Sequence, residues 1–239
     1  MRRVAIAQAR MGSTRLPGKV MQRIAGQTVV EHVMRRARAI PGLAEVCLAT
    51  SDRAADDAVA AEGARLGVQV FRGSVDDVLG RYAGAARLTK ADIVLRITCD
   101  CPLLDPAVCG EVLMLRDRTG ADYATNVLER TWPVGLDCEA FPRAMLDRAD
   151  GAATAAYDRE HVTPWIERHA KTKSNLPCPA GNLSERRWTL DYPEDLEFLR
   201  ALAPHLPPPP AIAPWRAIAD VLDRHPEIAA INARRRAPA

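Results

Sequence analysis

Apolar and polar positions change their period along this chain in a regular way. Residues 4–7, 45–49, 68–71 and 93–97 are short apolar runs of strand length. Helix-period stretches separate them, which predicts βαβ units and a parallel sheet. The boundaries are marked. Thr28 followed by Glu31 reads as a capping box for a helix reaching about residue 39, and Pro41-Gly42 ends it. Asp52 is positioned to cap the next helix, which Gly67 terminates. Residues 74–77 open a helix to about 88, and Asp105-Pro106 reads as an N-cap followed by proline in the first turn.

Beyond Gly120 the alternation loosens. Residues 122–126 and 136–141 read as strands without a crossover helix between them, 158–169 as one helix, 187–190 as a short strand, and Pro193 starts a helix to about 202. The expected organisation is a domain over 1–206, in which residues 127–186 form a lobe over the sheet's carboxyl edge. A stiff proline connector at 207–210 and a helical tail to 239 follow. Trp165 and Trp188 are expected in the core. The arginines 234–236 are expected as a solvated tail.

Composition narrows the class. The 239 residues carry 33 Lys plus Arg against 30 Asp plus Glu, a net charge of +3, which is too mild for a nucleic-acid partner. No apolar run approaches a membrane span, and residues 4–9 are too short for a signal-peptide core, so a cytoplasmic protein without a membrane partner is expected. Six cysteines are scattered with no C-x-x-C pair, so they read as buried apolar residues in a reducing compartment.

The chemistry concentrates after strand ends, where ligands bind in open α/β sheets. Residues 8–19, QARMGSTRLPGK, combine two glycines, two hydroxyls and the cations Arg10, Arg15 and Lys19. Such a loop suits a polyphosphate, because glycine lets backbone amides approach an anion that the cations neutralise. The spacing matches neither G-x-x-x-x-G-K-[ST] nor G-x-G-x-x-G. The fourth strand ends in TCDCPLLD. Asp105 reads as a cap, whereas Asp100 lacks such a local role and suits a divalent cation between protein and phosphate. Asp191, in LDYPED, fits a helix cap and a metal ligand equally. Two carboxylates brought close without a cation repel, and a cation between them removes the conflict.

These segments together resemble the cytidylyltransferase family, specifically its spore-coat polysaccharide biosynthesis protein F branch, which is similar to the enzymes that make CMP-activated acidic sugars. The resemblance rests on RMGSTRLPGKV, FRGSVDDVLGRY, DCPLLD, GLDCE, EHVT and WTLDYPEDL and covers about residues 4–202. It implies a Rossmann-like nucleotide-diphospho-sugar transferase fold, α/β with a mostly parallel sheet and a small dimerisation lobe, and CMP transfer from CTP to a small acidic acceptor with loss of pyrophosphate. By that resemblance Arg10, Ser13, Arg15 and Lys19 hold the phosphates, and Ala7 and Ala9 border the cytidine through main chain. Arg72, Gly73 and Asp77 neighbour the nucleoside, and Asp100 and Asp191 bind Mg²⁺. Gly135, Asp137, Glu139, Glu160 and His161 line the acceptor side, with Arg10, Lys19 and Asp100 carrying the catalysis. A homodimer is also implied, with Trp132, Val134 and Phe141 as apolar lobe residues. The sequence departs from the family at Cys99, where relatives usually have glycine, and at Val134, where a polar residue is common. Two other classes remain open on the same fold: a glycosyltransferase consuming a nucleotide sugar, against which the absence of D-x-D between 90 and 110 counts, and a non-catalytic nucleotide-binding protein.

Overall fold

A computed structural model describes residues 1–235. Strands β1 (Arg3–Gln8), β4 (Glu45–Ser51), β5 (Gln69–Gly73) and β6 (Ile93–Thr98) form the parallel heart of a seven-stranded sheet. They are joined by helices α1 (Val29–Arg38), α2 (Asp57–Arg65) and α3 (Val78–Leu88). A small hairpin, β2 (Arg23–Ile24) and β3 (Gln27–Thr28), precedes α1. The sheet continues past β6 through β8 (Glu139–Pro142), β7 (Tyr123–Thr125) and β9 (Lys173–Asn175), in the order β5-β4-β1-β6-β8-β7-β9. Within this sheet, among the described residues, only β8 runs against its neighbours. Strand order reverses direction between β1 and β6, where Gln8 is level with Thr98, and this crevice is the place such a sheet offers a ligand.

The sheet separates two apolar layers, because β1 alternates its side chains between them. Ala5 and Ala7 join α1 and α4 (Pro106–Thr119), while Val4 and Ile6 join α3 and α5 (Arg143–Ala152). A third layer gathers Trp132, Trp188, Phe198 and Trp215 around α8 (Pro193–Leu202) and α9 (Trp215–Arg224). The predicted helical tail is therefore packed: Trp215 meets Trp132 edge to face at 5.1 Å, and its backbone N–H donates to Asp105 Oδ2 at 2.6 Å. Burying aromatic side chains of this size is worth about 2–3 kcal/mol each. Trp165 and Trp188 are buried as expected. So are all six cysteines.

Several local expectations change. Asp105 caps α4 as read, accepting from the N–H groups of Ala107 and Val108. Asp52 does not cap a helix; a 3₁₀ turn over Ala54–Asp56 intervenes before α2. Residues 158–169 split into α6 (Ala156–His161) and α7 (Pro164–His169), because Val162 takes a φ of 72° and Pro164 cannot continue a helix. Residues 187–190 form no strand but a single bridge to Val134. Residues 127–186 supply β8 and β9 to the main sheet. Trp132 and Phe141 are spent in this chain's own core rather than on a surface. Arg235 is not simply solvated: it pairs with Glu194 at 2.8 Å and lies over the Tyr192 ring. Arg236 lies outside the described residues. No helix among them is long and apolar enough to cross a membrane.

Candidate active site

The loop after β1 is held from both ends. Gly18 N–H donates to Met11 O at 3.0 Å, closing the loop, and Met11 N–H donates to Asp56 Oδ1 at 2.6 Å, tying it to the start of α2. Within it, Ser13 Oγ accepts from Leu16 N–H. The loop thereby curls over the carboxyl ends of β1 and β6 and bounds a cavity of about 440 Å³. Ala9, Arg10, Ser13, Arg15, Lys19, Asp100, Glu160 and Asp191 all line this cavity.

Its floor is an ion triad. Lys19 Nζ lies 2.9 Å from Asp100 Oδ2 and 2.7 Å from Asp191 Oδ1. Burial works against the ammonium, but the two carboxylates outweigh it and raise the Lys19 pKa. Burial likewise opposes ionisation of Asp100, yet Lys19 and the Thr98 hydroxyl hold its carboxyl at about 2. Arg15 reaches the same Asp191 oxygen at 3.1 Å, and Arg10 pairs with Glu160 at 3.4 Å across the rim.

Backbone stitching puts Asp191 beside Asp100. Leu190 N–H donates to Asp100 O at 2.7 Å, and the Thr189 hydroxyl donates to the same carbonyl at 3.0 Å. The Asp191 side chain is not the cap of α8. Tyr192 stands at the N-cap, and Asp195 in the first turn completes a capping box, its Oδ2 accepting from the N–H groups of both Asp191 and Tyr192. Asp195 is itself clamped by buried Arg187, at 2.9 and 2.8 Å, and by Asn232 from the tail. Arg187 also reaches Asp191 Oδ2 at 3.3 Å. Of the two readings of Asp191, the structure removes the helix cap, and its carboxylate faces the cavity.

A second cavity of about 340 Å³ adjoins the first and shares Asp100 and Asp191 with it. Arg96, Arg130, Asp137 and Arg187 line it. Asp137 forms a two-pronged pair with Arg130, at 2.7 and 2.8 Å. Glu139 is buried beneath, bonded to Arg96 and to the Tyr123 hydroxyl. Gly135 stands where its chain passes the backbone of Trp188 and Thr189. A Cβ there would lie 2.7 Å from Thr189 N, and the φ is +110°. Only glycine fits that approach.

Other residues singled out in the sequence lie elsewhere. Ala7 is buried within the sheet between β4 and β6. Arg72 is exposed and pairs with Asp57, and Gly73 packs against Phe71 and Arg81. Asp77 caps α3 through Gly80 N–H and is engaged by Arg159. His161 is exposed against Tyr157. Cys99 is buried in the layer around α1 and α4. Conversely, Asp56, Arg96, Arg130, Arg187 and Asp195 escaped the sequence reading. Lone charged residues give no local signal when their partners are remote.

The cytidylyltransferase family profile matches residues 4–202. The chain belongs to the cytidylyltransferase family. Among curated relatives, the spore coat polysaccharide biosynthesis protein SpsF of Bacillus subtilis is 31% identical over 94% of this chain and 95% of its own. The 3-deoxy-manno-octulosonate cytidylyltransferase of Maricaulis maris is 37% identical over 85% of each. Among solved structures, a cytidylyltransferase from Leptospira borgpetersenii superposes with a TM-score of 0.89 at 30% identity, covering 96% of this chain and 97% of that one. The expected fold and the enzyme class of this cytidylyltransferase follow from those likenesses.

Proposed function

We propose that the protein transfers CMP from CTP to an acidic sugar or a related small acid, releasing pyrophosphate. The observation that carries this reading is the pair of adjoining cavities meeting at Asp100 and Asp191. One is rimmed by Arg10, Arg15 and Lys19, and the other contains Arg96, Arg130 and Arg187. Cations on both sides of a shared acidic seam suit two anionic substrates whose reacting atoms meet there.

Arg10, Arg15 and Lys19 bind the triphosphate. Guanidinium and ammonium groups already fixed in a half-buried cleft stabilise charge as it grows on the leaving pyrophosphate. Arg130, held in its fork by Asp137, and Arg187, held by Asp195, orient the acceptor's acid group. The attacking oxygen of the acceptor then faces the α-phosphorus in line, and the nucleotide is not transferred to the protein. Base selection belongs to the main chain at the ends of β1 and β6, with Ala9 in the wall.

The residues present fit a magnesium ion. Asp100 and Asp191 are hard oxygen donors whose carboxylates already share one cationic group, and Mg²⁺ takes one or two carboxylates plus substrate phosphates. They would hold the ion, and when bound it supplies positive charge at the phosphate oxygens. A homodimer belongs to the same reading, and light scattering should give twice 26.1 kDa.

The test is pyrophosphate release from CTP, UTP and ATP with a panel of acidic sugars and phosphorylated small molecules. Release with CTP and one acidic acceptor, well above the other nucleotides, is the expected result. Equal rates with all three nucleotides, or release only with neutral acceptors, would overturn the proposal.

A further inference from the structure

Away from this site, a cavity of about 460 Å³ opens between α1, α8 and residues 204–213. Its walls are apolar: Ile24, Leu103, Leu199, Leu206 and a run of prolines. Its side chains that carry or can take up charge are all basic, namely His32, Arg35, Arg36 and Arg200, and neither Asp nor Glu lines it.

None of the three arginines makes an ion pair among the described residues. Arg36 is 3% exposed; its Nη1 donates to the carbonyls of Leu104 and Ala213 at 3.1 and 3.2 Å, and its Nε has no partner. Arg35 donates to the Gln27 side-chain oxygen and lies 3.3 Å from His32 Nδ1, and its buried Nε is also unpartnered. Arg200 donates only to Arg23 O and Gln22 Oε1. Carboxylates near them are committed elsewhere. Glu31 pairs with Arg65 at 2.6 Å, and Asp105 caps α4 and receives Trp215 N–H. His32 Nε2 sits 2.8 Å from Ile24 O, so that nitrogen donates and Nδ1 is left to accept from Arg35. Burial lowers the His32 pKa, which keeps the ring neutral in this role. Burial and the neighbouring Arg35 push Arg36 down to about 10, although Asp105 partly opposes this.

Buried cations are ordinarily paired, because an uncompensated buried charge is costly. Here two adjacent guanidiniums, one of them almost fully enclosed, share an apolar cavity of ligand size with neutral acceptors only. We propose that this cavity binds an aliphatic monoanion. Its head pairs with Arg35 and Arg36, and its chain lies along Leu103, Leu199, Leu206 and the proline wall. A nucleotide or sugar does not suit these walls, which offer few polar groups to replace its hydration. The site is independent of the CTP reading, since none of its lining residues borders the nucleotide cavity.

The experiment is calorimetric titration of the full chain with octanoate, octan-1-ol and acetate. Octanoate should bind one to one and at least about ten-fold more tightly than octanol, and acetate should show no measurable binding. Arg36→Met removes two backbone contacts and endangers folding, so the charge is tested with Arg35→Gln/Arg200→Gln. That pair should weaken octanoate about ten-fold and leave octanol unchanged. Ala211→Trp, at an exposed lining position, should block both. Saturating CTP should not change octanoate affinity. Octanol binding as well as octanoate, displacement of octanoate by CTP, or no octanoate binding at all would each overturn the proposal.

Discussion

Lys19 places one ammonium between Asp100 and Asp191, 2.9 Å from the first and 2.7 Å from the second. The cleft thus carries its own counter-ion, and this decides how the site responds to pH. Asp100 has its pKa lowered to about 2, against about 3.9 for a free aspartate. A depressed carboxylate contributes stability above the unfolded value and loses it as pH falls through the folded one, here an effect of about 2 kcal/mol. In Lys19→Met Asp100 loses its cation and that contribution disappears, while Asp191 keeps Arg15 and Arg187. The gap in melting temperature between wild type and variant should be widest above pH 5 and should close toward pH 2. A gap constant across that range would show that Lys19 does not hold Asp100 ionised. If Lys19 meets the triphosphate as proposed, turnover of the variant should fall more than about ten-fold, because a charge-assisted contact is then lost.

The same bridge settles the sign for the acids. Two facing carboxylates without a cation would be relieved by Asp→Asn, leaving stability unchanged or raised. With Lys19 between them, Asp100→Asn and Asp191→Asn each remove an ion-pair partner from a half-buried ammonium. Each variant should lose about 1 kcal/mol of stability in the absence of nucleotide. If the substrates meet where the two cavities join, activity should drop at least about a hundred-fold, because both carboxylates line that junction. Full activity of Asp191→Asn beside an inactive Asp100→Asn would remove Asp191 from the chemistry.

Local signals carry the amino-terminal half of the fold in the sequence. Caps at Thr28 and Asp105, and apolar runs of strand length up to Ile97, each report on residues a few positions away. The later strands carry less of it. β7 and most of β8 fall in runs that read as strands, but the backward direction of β8 beside β6 has no local signal, and β9 is three polar residues at the sheet edge. The break within 158–169 leaves the apolar period intact: Pro164 marks it, but the positive φ at Val162 that turns the chain is a backbone conformation a β-branched side chain does not advertise. The site divides in the same way. Arg10, Arg15, Lys19 and Asp100 sit in compact polar segments at strand ends. Arg187, Asp195 and Asn232 become meaningful only when packing brings the tail against α8.

That last contact is testable by itself. Asn232 Nδ2 donates to Arg187 O at 3.1 Å and to Asp195 Oδ1 at 2.9 Å, and it is 2% exposed. Asn232→Ala leaves Asp195 its arginine and backbone donors but leaves Arg187 O short of a donor. Denaturant melts should show a loss of about 1–2 kcal/mol. A neutral result would mean that the segment after α9 is not held by this bond.

Gly135 is the tightest backbone approach near the second cavity. Alanine there needs a φ that L-residues avoid, and its Cβ would collide with backbone at 2.7 Å rather than with a movable side chain. Gly135→Ala should therefore cost about 2 kcal/mol or more and should separate the 134–137 segment from residues 188–189. Thermal melts read the first effect. Increased amide exchange at Trp188, whose N–H donates to Val134 O at 2.7 Å, reads the second. Wild-type stability with unaltered exchange would show that the two segments are not pinned here.

Arg130 distinguishes the two cavities. It lines the second cavity but not the first, and Asp137 fixes its guanidinium with two short bonds. Replacing it with methionine keeps the apolar stem and removes the charge, leaving Asp137 half-buried and unpaired. If Arg130 orients the acid group of the acceptor, the variant should raise the acceptor KM about ten-fold or more and leave the CTP KM within about two-fold. Asp137→Asn should give a smaller effect in the same direction, since the amide oxygen still accepts one of the two bonds and orients the fork less strictly. A rise in the CTP KM with the acceptor KM unchanged would exchange the roles of the two cavities. Equal rises in both would indicate that the Arg130–Asp137 pair shapes the protein rather than meeting either substrate.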